Sequence, residues 1–342
     1  MKKIVIVPAF LAALTLGIFA PAFAAGPDGD KVIYGKDDRF DLYQVTNPEL
    51  LKLADSTVGL FTAEDVTVTG SVAALRTGSY AADYGLCTDE PFYDQVNGAF
   101  CSGSLVAPDV IMTAGHCVKD ANSCKNTKFV FGFGVKAAGV MPKSVAASEV
   151  YGCSKLMGRE QVGTGADWAL IKLDRPVANH AVLKYNTANT LKNGDGLVVI
   201  GHPAGLPTKV AGGATVRNIA PAGYFVANLD TYGGNSGSAV FNAATGLIEG
   251  ILVRGENDYV MRGSCRVSNV CPSDGCRGED VTKLAAVLGF LNGTYVPAVE
   301  PEPVYDAYDG HDGYDGYGQY SEYDISRPSP AFESLRNLSA AF

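Results

Sequence analysis

Short apolar runs separated by turn residues cover the chain from residue 32 to about residue 290. Examples rich in β-branched and aromatic residues lie at 104–113, 128–135, 168–173 and 196–200. Runs of this length, bounded by Gly, Pro and Asn about every ten residues, are typical of β-strands. Because no alternation of strands with long helical patterns competes with them, the pattern predicts an all-β sandwich or barrel.

One segment near the end of this region has helical spacing. Asp280 precedes apolar residues at 281, 284, 285, 288 and 291, and Gly293 follows them. An aspartate at the N-cap, an apolar stripe and a terminating glycine together predict one C-terminal helix that closes the domain.

The two ends of the chain differ from this central region. Residues 1–24 combine two early lysines, an apolar stretch and a final Ala-Phe-Ala, which is the pattern of a secretory signal peptide. The alternative is a membrane anchor, although the apolar stretch is short for a span and contains Pro8. Residues 296–342 are rich in Pro and Glu, then in Tyr, Asp and Gly, and this composition predicts a disordered tail.

Charge and cysteine content narrow the classes of function. The formal net charge is -9 and the chain has no run rich in Lys or Arg, which argues against nucleic-acid binding because like charges repel phosphate. Eight cysteines in an exported chain favour structural disulfides. The histidines lie far from one another and from any zinc-type cysteine pair, so we expect no metal or other cofactor. We also expect a monomer without stable insertion in a membrane.

His116 is the first candidate for chemistry. It lies within Thr-Ala-Gly-His-Cys at residues 113–117, at the end of an apolar strand. A histidine there can act as a general base or serve only as a structural residue. Cys101 and Cys117 can form a disulfide that fixes the histidine loop if their strands pair. His180 and His202 lie in turn-like segments, and we assign them no catalytic role.

Ser236 is the second candidate, in Gly-Gly-Asn-Ser-Gly-Ser at residues 233–238. Glycines on both sides permit a tight turn that presents the hydroxyl group to a substrate. They also allow the amides of Gly234 and Ser236 to converge on a developing oxyanion, where each donor contributes roughly 3 kcal/mol in comparable sites. The apolar segments on either side argue against a flexible linker.

Asp167 is the third candidate, at the start of an apolar run that is typical of a buried strand. A carboxylate there can accept a hydrogen bond from one nitrogen of an imidazole, leaving the other nitrogen to take the serine proton. The alternative is an ordinary aspartate at the edge of a strand.

Taken together, these three segments resemble the signature motifs of chymotrypsin-like serine peptidases, and their order, His116, Asp167 and Ser236, is the one found in that family. The bacterial glutamyl-endopeptidase branch is the most similar. Residues 32–39 resemble the mature N-terminus of that branch, and Gly-His-Pro-Ala-Gly-Leu-Pro at residues 201–207 resembles one of its turns.

The resemblance implies two six-stranded β-barrels with the active site between them, in a peptidase domain over residues 32–295. It implies a secreted endopeptidase that forms an acyl-enzyme on Ser236 and takes proteins or peptides as substrates. Residues 25–31 look like a short propeptide removed after Lys31. Because Asn235 stands where the animal enzymes carry an aspartate that pairs with the new amine, we expect that activation switch to be absent.

Specificity has two interpretations. In this family the floor of the specificity pocket lies six residues before the serine, at Asp230, and a carboxylate there favours Arg or Lys before the scissile bond. The far wall lies on the segment that includes Val253, Arg254 and Gly255. The glutamyl endopeptidases are expected to use a histidine on this wall, where the chain has Leu252 and Val253 instead. We expect Arg254 to face solvent, the alternatives being the cleft or a pair with Asp230.

Two other functions compete with a peptidase. A catalytically inert binding protein on the same fold would use the Tyr/Asp/Gly tail as its working part, but an intact set of three catalytic residues argues against it. A lipase or esterase would carry its serine between a strand and a helix, with the histidine last in order, and neither condition holds.

Overall fold

The computed structural model describes residues 32–292. The predicted signal peptide (1–24), the predicted propeptide (25–31) and the predicted tail (296–342) lie outside the described residues. None of the helices within residues 32–292 is long and apolar enough to cross a membrane.

The described part of the chain is built mainly from strands, as the apolar pattern predicts. The strands are β1 (Ile33–Tyr34), β2 (Arg39–Asp41), β3 (Thr57–Thr62), β4 (Val66–Thr69), β5 (Val72–Leu75), β6 (Gly78–Ser79), β7 (Val96–Asn97), β8 (Cys101–Ala107), β9 (Val110–Thr113), β10 (Thr127–Val130), β11 (Ser144–Ala146), β12 (Val150–Gln161), β13 (Asp167–Leu173), β14 (Gly196–Gly201), β15 (Lys209–Asn218), β16 (Tyr224–Ala227), β17 (Ala239–Asn242), β18 (Ile248–Arg254), β19 (Tyr259–Arg262), β20 (Cys265–Ser268), β21 (Val270–Cys271) and β22 (Glu279–Lys283). The α-helices are α1 (Pro48–Asp55), α2 (Tyr80–Tyr84), α3 (Ala121–Lys125) and α4 (Ala285–Leu291).

Six of these strands close the first barrel, in the order β10, β12, β13, β9, β8 and β3, and every pairing is antiparallel. Strand β13 is buried over almost its whole length. A strand covered on both faces has an almost continuous apolar sequence, which explains the run that follows Asp167.

The second barrel closes in the order β14, β17, β18, β22, β16 and β15, because β15 pairs with β14 as well as with β16. Strand β2 from the N-terminal segment extends this sheet by pairing with β15. The two six-stranded antiparallel barrels confirm the predicted double-barrel fold.

Both barrels contribute to one apolar core. Leu105 and Ile111 of the first barrel belong to the same buried cluster as Ile200 and Phe241 of the second. Apolar burial at roughly 25 cal/mol per Å² therefore stabilises the packing between the barrels as well as each barrel interior.

The predicted C-terminal helix is correct in its end and wrong in its start. Helix α4 covers Ala285–Leu291, whereas residues 279–283 form β22, which pairs with β16 and β18. Asp280 is therefore a fully buried strand residue and not an N-cap. Sheet pairing on both sides of this segment overrides its helical spacing.

Four disulfides join all eight cysteines. The predicted pair Cys101–Cys117 is present. The other pairs are Cys124–Cys153 within the first barrel, Cys271–Cys276 within one loop, and Cys87–Cys265. The Cys87–Cys265 bond links the segment that follows α2 to the hairpin formed by β19 and β20.

Candidate active site

His116 follows β9 and is held close to Asp167. The preceding Gly115 makes this approach possible, because a Cβ atom on it would lie 2.9 Å from Asp167 Oδ1 and 2.8 Å from the Trp168 carbonyl oxygen. The Cys101–Cys117 disulfide packs beside the ring, with each sulfur within 4.8 Å of a ring nitrogen of His116. Both thiols are consumed in this bond, so they do not act as metal ligands.

Asp167 is the first residue of β13, and its carboxylate is buried. One carboxylate oxygen accepts a hydrogen bond from His116 Nδ1 at 2.7 Å, and the other accepts from the His116 backbone N–H at 3.1 Å. The hydroxyl group of Thr282 fixes the backbone of Asp167 by accepting from its N–H and donating to its carbonyl oxygen. This geometry keeps the proton on Nδ1 and leaves Nε2 as the basic nitrogen.

Ser236 lies in a turn that packs on the strand before His116. A Cβ atom on the next residue, Gly237, would lie 2.2 Å from Thr113 Oγ1 and 3.0 Å from the Ala114 nitrogen. The backbone N–H of Ser102, beside the disulfide, donates to the Ser236 carbonyl oxygen at 2.8 Å. The fold therefore brings the segment that carries the predicted nucleophile against the segment that carries His116.

The predicted pocket residue Asp230 is used differently in the structure. It is buried, and its two carboxylate oxygens accept hydrogen bonds from the backbone N–H groups of Tyr34 and Asp38 at 2.7 and 2.8 Å. Burial raises the pKa of Asp230 to about 7, while the two N–H donors oppose this shift. Asp230 thus anchors the N-terminal segment through both oxygens of its carboxylate, and its role as the pocket floor stays a prediction.

Two residues of the predicted far wall have their surroundings defined by the structure. Val253 is fully buried. The prediction that Arg254 faces solvent is wrong. Its Nε donates to Asp280 at 3.1 Å, and an Nη donates to the carbonyl oxygen of Gly165 at 2.8 Å. The guanidinium group is therefore paired within the protein, since the buried carboxylate of Asp280 needs a cation.

Glu279 is a buried carboxylate that lies against Thr231 and Gly255, and no sequence motif pointed to it. It is fully buried at the start of β22 and accepts a hydrogen bond from Thr231 Oγ1 at 3.0 Å. A Cβ atom on Gly255 would lie within 2.4 Å of both carboxylate oxygens, so the missing side chain there leaves room for this carboxylate. Glu279 reaches Thr231 and Gly255 because β22 pairs with strands of the second barrel. No local sequence pattern predicts this contact.

His180 and His202 are structural, in agreement with their assignment from sequence. The ring nitrogens of His180 lie 2.8 Å from Asp55 Oδ2 and 2.6 Å from Glu149 Oε2. His202 is buried, and its Nδ1 donates to the carbonyl oxygen of Leu206 at 3.0 Å. Burial lowers the pKa of His202 to about 4, so the ring is neutral near pH 7.

Comparison with known families agrees with this geometry. Residues 101–251, which include all three predicted catalytic residues, match the family described as "Trypsin-like peptidase domain". This region is therefore similar to trypsin-like peptidase domains. The resemblance seen in the sequence motifs is thereby confirmed.

Individual proteins are also similar to this chain. The chain is 28% identical over 158 residues to a glutamyl endopeptidase of Bacillus licheniformis, a match that covers 42% of this chain and 46% of the relative. The match thus spans about half the length of that curated relative. Among solved structures, a Glu endopeptidase in complex with MPD is similar at a TM-score of 0.44 and 20% identity, covering 77% of this chain and 99% of the other. The inactive form of the Rv3671c protease is similar at a TM-score of 0.40 and 14% identity, covering 72% and 93%.

Proposed function

We propose that the protein is a serine endopeptidase that cleaves peptide bonds through an acyl-enzyme on Ser236. The observation that carries this proposal is the paired geometry of His116 and Asp167, placed against the turn that holds the serine. A histidine held by two bonds to one buried carboxylate has a fixed tautomer and orientation, which a general base requires.

In the proposed reaction, the Ser236 hydroxyl attacks the carbonyl carbon of the scissile bond while His116 Nε2 takes the hydroxyl proton. The carbonyl oxygen becomes an oxyanion, for which we propose the N–H groups of Gly234 and Ser236 as donors. His116 then gives its proton to the departing amine, and the acyl group remains on Ser236 as an ester. Water, deprotonated by His116, attacks this ester and releases the acid and free Ser236.

A serine-directed phosphonylating reagent tests the central step. We expect it to label Ser236 of the wild-type protein, and we expect Ser236→Ala to escape labelling and to lose peptide hydrolysis. An unlabelled wild-type serine, or undiminished hydrolysis by the variant, contradicts the proposal.

We further propose a preference for Arg or Lys before the scissile bond, with Glu279 in place of Asp230 as the attracting carboxylate. The support is the position of Glu279 beside Gly255 and Thr231, which lie on the two segments expected to form the pocket walls. A second carboxylate, that of Asp258, accepts a hydrogen bond at 2.9 Å from the N–H of Gly233, in the segment that also holds Ser236. Charge-assisted hydrogen bonds to such a carboxylate suit a guanidinium or ammonium group.

Glutamate is the second candidate for the preferred residue, because the curated relative is named a glutamyl endopeptidase. Peptides that differ only in Arg, Lys, Gln or Glu at the cleaved position separate the two. We expect kcat/KM to be highest for Arg and Lys, and Glu279→Gln to lower it about 10- to 100-fold for these two and not for Gln. Glu249→Gln, which alters a buried carboxylate bonded to Asn186 in the same barrel, is the matched control. The highest kcat/KM for Glu would reject the basic preference.

We also propose that the protein acts outside the cytoplasm and is processed after Lys31. Four disulfides in one chain suit an oxidising compartment. N-terminal sequencing of the exported protein is expected to begin at Val32. A fully active protein that begins at Ala25 or Gly26 contradicts processing at Lys31.

A further inference from the structure

A tight turn from His202 to Leu206, which we call the 202–206 turn, packs directly on the residue before Asn235. A Cβ atom on Gly234 would lie 2.6 Å from the His202 carbonyl oxygen and 2.7 Å from the Gly205 nitrogen. Gly234 itself has a φ of +86°, a conformation that favours glycine. Its backbone is therefore held in one conformation by the surface of this turn.

The first contact of the turn fixes the peptide group that carries the Gly234 N–H. The backbone N–H of Ala204 donates to the Gly233 carbonyl oxygen at 2.5 Å. In a planar trans peptide, the C=O and the following N–H point in opposite directions, so the Gly234 N–H points away from the turn. Within residues 32–292 this N–H has no hydrogen-bond acceptor, which leaves it available to an oxyanion.

The second contact fixes the next peptide group through a buried hydroxyl group. Ser102 Oγ donates to the Gly234 carbonyl oxygen at 2.8 Å and accepts from the His202 backbone N–H at 2.9 Å. The backbone N–H of Ser102 also donates to the Ser236 carbonyl oxygen. One fully buried serine of β8 thus links the first barrel, the 202–206 turn and both predicted oxyanion residues.

The turn itself is held in an unusual conformation. Ala204 has a φ of +52°, in the left-handed region that residues with a side chain seldom adopt. The His202 ring closes the turn through its bond to the Leu206 carbonyl oxygen, and the Tyr84 hydroxyl group donates to the Ala204 carbonyl oxygen at 3.4 Å. A strained residue that the surroundings hold in place is frequent where backbone geometry serves a site.

We infer that Ser102 and the 202–206 turn are positioning elements for the oxyanion hole, holding the Gly234 N–H toward the oxygen of the scissile carbonyl. This inference rests on the proposed peptidase function. It assigns a role in that function to residues that do not touch the substrate. Donors that are oriented before the reaction stabilise the transition state more than the bound substrate, so their misplacement lowers kcat and leaves KM nearly unchanged.

The test compares Ser102→Ala with Ser104→Ala. Both serines are fully buried in β8, but Ser104 Oγ has no hydrogen-bond partner among the described residues, so it makes a matched control. We expect Ser102→Ala to lower kcat about 10- to 100-fold with KM within about twofold, and Ser104→Ala to change kcat by less than about twofold. Rates are expressed per active site, counted from the acylation burst, so that unfolded molecules do not contribute.

A peptide aldehyde supplies the second measurement, because its adduct with Ser236 places an oxyanion in the hole. We expect Ser102→Ala to weaken aldehyde binding by the same factor as kcat, while an unreactive peptide amide binds equally to both variants. If Ser102→Ala does not fold, Ser102→Cys keeps a side chain of similar size with a weaker donor, and its losses should be intermediate. Equal kcat and aldehyde affinity in the Ser102 and Ser104 variants overturn the inference. An inactive wild-type protein with an unlabelled Ser236 instead overturns the proposed function.

Discussion

Acid sensitivity from one buried histidine is the prediction that the structure defines most closely. The ordinary pKa of His202 is 6.5, and burial lowers it to about 4 in the folded protein. As the pH falls below 6.5, the unfolded chain binds a proton at this residue before the folded protein does. Stability is therefore lost as the pH falls from about 6.5 toward 4.

The magnitude follows from the two pKa values. A difference of 2.5 units corresponds to about 3.4 kcal/mol once the pH lies below both values. At pH 5 the same linkage removes about 2 kcal/mol relative to pH 8. The ring is almost fully buried, so solvent does not screen this cost.

Asp230 acts in the opposite direction over the same range. Its pKa is raised to about 7 in the folded protein, from an ordinary value of 3.8, so the folded protein binds that proton first. This contribution increases stability as the pH falls from 7 to 4. The pH profile of the wild-type protein alone is therefore not diagnostic, and the difference between the parent and a His202 variant is required.

Urea unfolding measures this difference. The chain has one tryptophan, Trp168, which is buried in the first barrel and reports unfolding by fluorescence. Ser236→Ala serves as the parent, since it prevents self-digestion, and His202→Gln removes the titrating group. We expect the stability deficit of His202→Gln to shrink by about 2 kcal/mol between pH 8 and pH 5, whereas the deficit of Ser104→Ala stays constant. A His202→Gln deficit that does not change with pH refutes the reasoning.

Three further predictions concern the triad, a disulfide and the core. Asp167→Asn should lower kcat about 10⁴-fold by favouring the wrong histidine tautomer, measured by steady-state hydrolysis, and a loss under tenfold would contradict the assigned role. Replacing Cys87 and Cys265 with serine should lower the free energy of unfolding in urea by up to about 5 kcal/mol, because the two cysteines are separated by 178 positions in sequence. An unchanged midpoint of urea unfolding would contradict this. Phe290→Ala should cost about 3 to 5 kcal/mol in the same assay, since the ring packs edge-on against Trp168 at 4.6 Å, and a cost below 1 kcal/mol would show that this contact is dispensable.

Local sequence patterns predict this molecule well wherever structure is determined by near neighbours. The apolar run after Asp167 becomes β13, and the glycine-rich segment around Ser236 becomes a tight turn. Both depend on burial and backbone freedom, which the sequence expresses directly. The same holds for the disulfide of Cys101 with Cys117, which joins neighbouring segments.

Features that depend on distant pairing could not be predicted in this way. Residues 279–283 have helical spacing but form a strand, since β16 and β18 lie on either side of them. The bonds from the Tyr34 and Asp38 N–H groups to Asp230 join residues more than 190 positions apart, and no local pattern indicates them. Glu279 lies far beyond Ser236 in sequence and contacts Thr231 and Gly255 only because the strands of the second barrel pair. In each case a contact across the sheet decides the outcome.

The Cys87–Cys265 disulfide has a consequence for the proposed peptidase activity. Its two ends enclose residues 88–264, a stretch that holds His116, Asp167 and Ser236 together with most of both barrels. A single cut in any exposed loop of this stretch leaves two fragments that are still covalently joined. A molecule cut once by its neighbours would therefore migrate as one species until the disulfide is reduced, and its three predicted catalytic residues would stay covalently joined.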